Sequence, residues 1–343
     1  MSEIRYDLIH DEYALIAPER LHRPDCYKYV SGEENDTRSC PFCEGHESMT
    51  PHEIYAIREN EPDMPGWKTR VVPNLYKAVQ IEAAWESKEV GIYQAWEGLG
   101  AHEVIVDTPR HLTRMDAWTH EEYFNWLYTL RSRINDLKND FRLVYFSLFK
   151  NHGHYGAATQ SHPHTQLIAL PIVPKRKMDQ LLRAHRYFLE RRHNIFESVL
   201  SEEEHDGDRI IIKSEHFMTI CPFASTFAFE VMVISRESAA SLTDLNDIKL
   251  QDLANVLKQT IDALYQQLGD FDFNITFNTP PVQKNVTTES FFDALPQMWR
   301  FGLRIVPRLF RLGGFEFGSG VHINPVSPEE AADLLRSVVE GKR

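Results

Sequence analysis

The sequence predicts an α+β fold made of two related halves, each with an antiparallel sheet and a flanking helix. Three observations carry this. The run His102-Glu103-Val104-Ile105-Val106-Asp107-Thr108-Pro109-Arg110-His111 resembles Phe229-Glu230-Val231-Met232-Val233-Ile234-Ser235-Arg236-Glu237-Ser238. Each copy passes through a polar bend into a long amphipathic helix. Each helix then leads into a run rich in aromatic and β-branched residues, which reads as a strand.

In the first copy Thr119 and Glu122 form a capping box ahead of a helix. Tyr123, Leu127, Leu130, Ile134 and Leu137 recur along it at helical spacing. In the second copy the helix runs from Asp247 to Leu268 and is ended by Gly269. The strands that follow are Leu143 to Phe149 and Phe271 to Phe277, closed by Asn151 and Asn278 at the same offset. Met178, Leu181, Leu182, His185, Leu189, Phe196 and Val199 mark a helix that connects the halves. Ser327, Pro328 and Glu330 begin a last helix. The expected organisation is a catalytic half over 1–174, a connecting helix over 175–205 and a degenerate half over 206–343.

Composition narrows the function classes. Hydrophobic content of 42% and charged content of 25% belong to a water-soluble globular chain. A net charge of -13 argues against general nucleic-acid binding, though not against a local pocket for a phosphorylated small molecule. No run of about 18 apolar residues occurs, and Met1 to Asp7 has no apolar signal core, so the expected location is cytoplasmic with no membrane contact. The four cysteines, Cys26, Cys40, Cys43 and Cys221, are too few for a disulfide scaffold.

The chemistry concentrates in His162-Pro163-His164-Thr165-Gln166. Alternation along an extended segment puts both imidazoles and the Gln166 amide on one side. One ring can anchor or ligate while His164 attacks a phosphorus atom, because imidazole is a good nucleophile near neutral pH. Gln166 offers a neutral donor to a phosphoryl oxygen. The other reading is a structural histidine bonded to backbone carbonyls. Cys40-Pro41-Phe42-Cys43 is a metal-style knuckle, and His111 and His162 are the best candidates for the remaining ligands of a structural zinc. The alternative is an ordinary buried or redox cysteine pair. Arg5, Arg20, Arg23, Arg70 and Lys150 are cations that could neutralise phosphates, although each taken singly reads more readily as a solvated surface charge, and Asn74 could read a ribose or base, although an Asn after Pro73 is also plain turn chemistry. By position Arg300 and Gly302 fall where His162 and His164 sit, and Ser238 falls where His111 sits. One half is therefore read as catalytic and the other as supporting.

These residues resemble the galactose-1-phosphate uridylyltransferase family of the histidine-triad superfamily. The likeness runs through Arg5-Tyr6-Asp7, Ala17 to Pro24, Cys40 to Cys43, Thr108 to His111, Asn151-x-Gly153, His162 to Gln166 and Gly314-Phe315-Glu316. It implies a duplicated histidine-triad unit, a nucleotidyl intermediate on His164 with Gln166 holding the α-phosphoryl group, and zinc on Cys40, Cys43, His111 and His162. It also implies substrate contacts from Arg20, Arg23, Asn74, Asn151 and Glu316, the arginines often across a homodimer interface. Arg300 and Gly302 replace the second-half histidines of a further metal site, so a second metal is not expected.

The expected activity is nucleotidyl transfer between a nucleotide sugar and a sugar 1-phosphate or phosphate acceptor. Uridylyl transfer between UDP-glucose and galactose 1-phosphate leads. Gly313 to Pro325 and Pro222 to Glu230 resemble the ADP-glucose phosphorylase branch. That branch, or adenylyl transfer of the adenylyl-sulfate or ATP type, is the alternative. A nucleotide hydrolase is less favoured because Gln166 is neither acid nor base. A non-catalytic nucleotide-binding protein is the remaining rival.

Overall fold

The computed structural model describes residues 2–22 and 37–342. In chain order the first part contributes β1 (Glu3–Asp7), β2 (Glu12–Ile16), β3 (Tyr55–Arg58), β4 (Trp67–Pro73), β5 (Ser87–Val90), β6 (Tyr93–Trp96), β7 (Ala101–Val106), α1 (His120–Leu137), β8 (Tyr145–His152) and β9 (His164–Leu170). Next come α2 (Lys175–Arg191) and α3 (Ile195–Asp206). The rest is β10 (Ile210–Lys213), β11 (Phe217–Ile220), β12 (Val231–Ser235), α4 (Asp247–Leu268), β13 (Phe273–Phe277), α5 (Leu295–Met298), β14 (Gly302–Pro307), α6 (Gly314–Ser319), β15 (His322–Asn324) and α7 (Pro328–Val339).

Ten strands form one sheet in the order β3-β4-β7-β9-β8-β13-β14-β12-β11-β10. Every pair in it is antiparallel. The order reads outward from the β8–β13 join as two copies of one pattern. At that join Phe149 stands opposite Thr276 and Asn151 opposite Asn274. Joining the copies edge to edge leaves neither with an unpaired strand there. A separate sheet of β1, β2 and β15 brings the two ends of the chain together, with β15 parallel to β2.

The main core lies on one face under α1, α4 and α7. Trp118, Tyr123, Trp126 and Leu130 are fully buried there against Phe146, Leu148 and Leu167. Both long helices start on side-chain caps. Thr119 and Glu122 complete the expected capping box, and Asn246 accepts from the Lys249 amide at 2.9 Å. On the other face α2, α3 and α5 cover the C-terminal half with Phe196, Met298 and Trp299, packed on Met232 and Ile234. The connecting segment is thus two helices rather than the one expected. Arg192 adopts a left-handed conformation, φ 53°, and Asn194 caps α3 by accepting from the Phe196 amide at 2.9 Å. Among the described residues no helix is long and apolar enough to cross a membrane.

The register defines which positions correspond. His164 stands opposite Val106, and Gly302 stands opposite Ile234. Gln166 stands opposite Val104, and Arg304 opposite Met232. Gly302 therefore takes the place of His164, as the sequence repeat implies. On the neighbouring strand the ladder sets Glu230, not Phe229, in the place of His102, a one-residue correction to the sequence pairing. A Cβ at Gly302 would lie 2.7 Å from the Val233 carbonyl oxygen. The second half has no room for any side chain at the position its twin uses for chemistry. Gly302→Ala is expected to cost about 1–3 kcal/mol through a forced backbone shift. Urea unfolding measures this, and an unchanged midpoint contradicts it.

Candidate active site

β9 sits between β7 and β8 and shows the alternation expected of a strand. Leu167 and Ala169 enter the core, and Thr165 accepts from the Trp126 indole N–H at 2.8 Å. His164 and Gln166 face the opposite side, into a cleft of about 300 Å³. Phe42, Pro73, Asn74, Tyr76, Val104 and Thr159 also line it. His164 is 7% exposed, and its Nδ1 donates to the His162 carbonyl at 2.9 Å. The proton is thereby held on Nδ1, and the Nε2 lone pair is free. Burial pushes the His164 pKa down to about 4, so the ring is neutral at pH 7.

The loop leading to His164 is pinned from the other half. Asp272 accepts from the Tyr155 amide at 2.6 Å. Gly153 is left-handed at φ +73°, and a Cβ there would fall 1.6 Å from an Asp272 carboxylate oxygen. Only glycine allows the loop to approach so closely.

Cys40, Cys43, His111 and His162 are brought together, with one ligand atom from each lying within 4.8 Å of the others. Cys43 Sγ is 3.3 Å from His111 Nδ1 and 3.6 Å from His162 Nδ1. The outward nitrogens are oriented by neighbours: His162 Nε2 donates to the Thr108 carbonyl at 2.8 Å, and His111 Nε2 lies 3.1 Å from Ser161 Oγ. Such partners aim the inner nitrogens of ligating histidines at a metal. Burial and the neighbouring Cys40 push the Cys43 thiol up to about 12. A bound cation would reverse that, so the donor set fits a divalent metal. The knuckle also carries Phe42, whose ring centroid is 5.5 Å from that of His164. Two candidate metal ligands and the ring beside His164 thus share one loop.

Other predicted residues fall elsewhere. Lys150 is 2% exposed on the helix side of β8, not in the cleft. It donates to Asp107 at 2.7 Å and to the His164 carbonyl at 3.3 Å, and Thr165 Oγ1 donates to the same Asp107 oxygen at 3.1 Å. Alternation explains the placement: Lys150 shares a face with Phe146 and Leu148, and Asn151 takes the other. Arg5 pairs with Glu3 and Glu329, and Arg70 with Glu53 and Asp63. Asn151 accepts from Asn274 at 2.9 Å, and Glu316 accepts from the Gly313 amide at the start of its own helix at 2.8 Å. Arg20 is exposed in the turn Pro18–His22. None of these three lines the cleft of this chain. Arg23 lies outside the described residues.

Sequence reading missed His102. It sits on β7, facing the same side as Gln166, with its Nε2 3.0 Å from Gln166 Oε1 and 3.0 Å from Asn74 Nδ2. The signal was the alternation of His102 and Val104. It becomes readable only once β7 is known to neighbour β9.

Fold and site define a duplicated α+β protein with one intact histidine site and one degenerate copy. The chain belongs to the galactose-1-phosphate uridyl transferase family, whose N-terminal domain matches residues 1–174 and C-terminal domain residues 180–338. It is an enzyme of the nucleotidyltransferase class. It is 32% identical to an ADP-glucose phosphorylase of Arabidopsis thaliana over 98% of this chain and 93% of that protein. It is 27% identical to a galactose-1-phosphate uridylyltransferase of Thermotoga maritima over 98% of each. The crystal structure of an Arabidopsis thaliana ADP-glucose phosphorylase with bound ADP-glucose superposes with a TM-score of 0.82 at 29% identity, covering 98% of this chain and 99% of that one.

The buried ion pair behind the nucleophile gives a stability test. Lys150→Met strands the Asp107 carboxylate and is expected to cost about 3–5 kcal/mol, whereas adding Asp107→Leu recovers most of that loss. Denaturant unfolding of the three proteins checks this, and a Lys150→Met protein as stable as wild type contradicts it.

Proposed function

We propose that this protein transfers a nucleoside monophosphate from a nucleotide sugar to a phosphate acceptor through a covalent adduct on His164. The observation that carries the reading is the free Nε2 of a neutral His164, set in a cleft beside the Gln166 amide. The lone pair of Nε2 attacks the α-phosphorus. A P–N bond forms, and the P–O bond to the sugar phosphate breaks, its electron pair leaving on that oxygen. An acceptor phosphate oxygen then attacks the same phosphorus, breaks the P–N bond and restores the neutral ring. Gln166 donates to a non-bridging oxygen as charge builds there. Asn74 contacts the nucleotide.

The leading donor and acceptor are UDP-glucose and galactose 1-phosphate, in keeping with the family. Adenylyl transfer from ADP-glucose to inorganic phosphate, with glucose 1-phosphate leaving, is the second reading, favoured by the 32% identity to the Arabidopsis phosphorylase. Zinc is the proposed structural metal, because two thiolates and two imidazoles suit a closed tetrahedral site. When bound, it fixes the knuckle that carries Phe42. A homodimer is the proposed assembly, with Arg20 and Arg23 serving the partner's cleft; Asn151 and Glu316 are proposed as further substrate contacts. The support is electrostatic: none of the described residues lining the cleft carries a formal charge, yet the substrate is a diphosphate. The catalytic half is assigned to 1–174, the link to 175–205 and the supporting half to 206–343.

Intact-protein mass spectrometry tests the chemistry. Mixing with UDP-glucose is expected to add one UMP, absent from His164→Ala. An AMP increment from ADP-glucose alone selects the second reading, and no increment from any donor refutes the transfer. Elemental analysis is expected to find one zinc per chain, lost in Cys43→Ser. A wild-type protein free of zinc and still able to form the adduct would show that zinc is not required.

A further inference from the structure

We infer that His102 is a positioning residue that presets Gln166 as a hydrogen-bond donor to the transferring phosphoryl group. This inference rests on the transfer reading above. The Ala78 backbone N–H donates to His102 Nδ1 at 3.1 Å, so Nδ1 is the acceptor and the ring proton sits on Nε2. Nε2–H then donates to Gln166 Oε1 at 3.0 Å. With its oxygen engaged, Gln166 can only turn its NH₂ toward the cleft. Asn74 is locked in the same way: its Oδ1 accepts from the Tyr76 amide at 2.8 Å, so its NH₂ faces the protonated Nε2 at 3.0 Å. One imidazole therefore determines the polarity of the Gln166 amide at the cleft.

The second half shows the same pair of positions reworked. His102 and Gln166 are diagonal neighbours across β7 and β9, with Val104 opposite Gln166. Glu230, one residue ahead of β12, and Arg304 on β14 hold the same diagonal relation, with Met232 opposite Arg304. There Arg304 donates to Glu230 in an ion pair. In both copies the residue on the outer strand accepts or donates so as to fix its diagonal partner. The half that keeps the nucleophile has the neutral histidine–glutamine couple; the half without it has the charged one.

A double-mutant cycle on the full-length, metal-loaded protein tests this. The readout is the single-turnover rate of adduct formation on His164 with the donor that labels wild type. Gln166→Ala is expected to slow it about 100-fold, as for loss of one oxyanion donor, and His102→Ala about 10-fold or more by freeing the amide to rotate. In the Gln166→Ala background, His102→Ala should add less than a factor of about two, because its effect runs through Gln166. His102→Gln, which keeps an N–H donor, should recover most of the rate, and His102→Glu, with no donor, should not. The Gln and Glu variants differ by one group and keep the comparison valid if the Ala variant folds poorly. Losses that multiply in the double variant, or a wild-type rate in His102→Ala, overturn the inference while leaving the transfer reading intact. No adduct in wild type overturns both.

Discussion

Between His164 and Leu170 the chain must satisfy two environments at a period of two residues. Thr165, Leu167 and Ala169 fill the core beneath α1, while His164 and Gln166 hold the floor of the cleft. A slip of one residue would bury His164 in the core and expose Leu167. The register is fixed on three sides: by the β7 and β8 ladders, by the Asp107–Lys150 pair that grips Thr165 and the His164 carbonyl, and by the His162 ring bonded to Thr108. A buried ion pair is a poor source of net stability. Its placement against the His164 carbonyl makes better sense as a fixing point than as a stabiliser.

The two halves share a scaffold and differ in what covers it. Over the C-terminal half α3 and α5 lay Phe196, Met298 and Trp299 on Met232 and Ile234. The space left around Gly302 and Arg304 is about 20 Å³, room for about one water. The corresponding face of the N-terminal half keeps the 300 Å³ cleft. Glycine at the position that His164 holds in the first half, closed in by the Val233 carbonyl, leaves no room for a histidine by a single substitution.

Much of this was legible in the sequence, for identifiable reasons. The repeat, the Thr119 and Ser327 caps and the Cys40–Cys43 knuckle follow from local spacing, which survives without knowledge of neighbours, and His111 and His162 stand out as histidines that the second copy lacks. The break at Arg192 was missed because a non-glycine left-handed residue has no strong local signature. Lys150 was misplaced because a lysine beside a histidine motif suggests phosphate, whereas its strand parity points it at Asp107. His102 was overlooked because its partners lie 28 and 64 residues away, across strands whose order no local pattern reveals.

The misplaced cations have a consequence for the chemistry. Lys150, Arg5 and Arg70 are all committed to carboxylates of the fold, so they cannot neutralise a ligand without breaking those pairs. The lining that remains is aromatic, aliphatic and amide, with neutral imidazole at its centre. A cleft of that kind binds a base and ribose well and a diphosphate poorly. Its neutral donors act most on charge that appears during transfer, which is where hydrogen bonds from a fixed amide count for most. The standing charge of the substrate has to be met from outside the described cleft. In the proposed transfer, neutral groups act on the reacting phosphorus, and none of the described residues lining this cleft carries a formal charge that could balance the standing charge of a diphosphate.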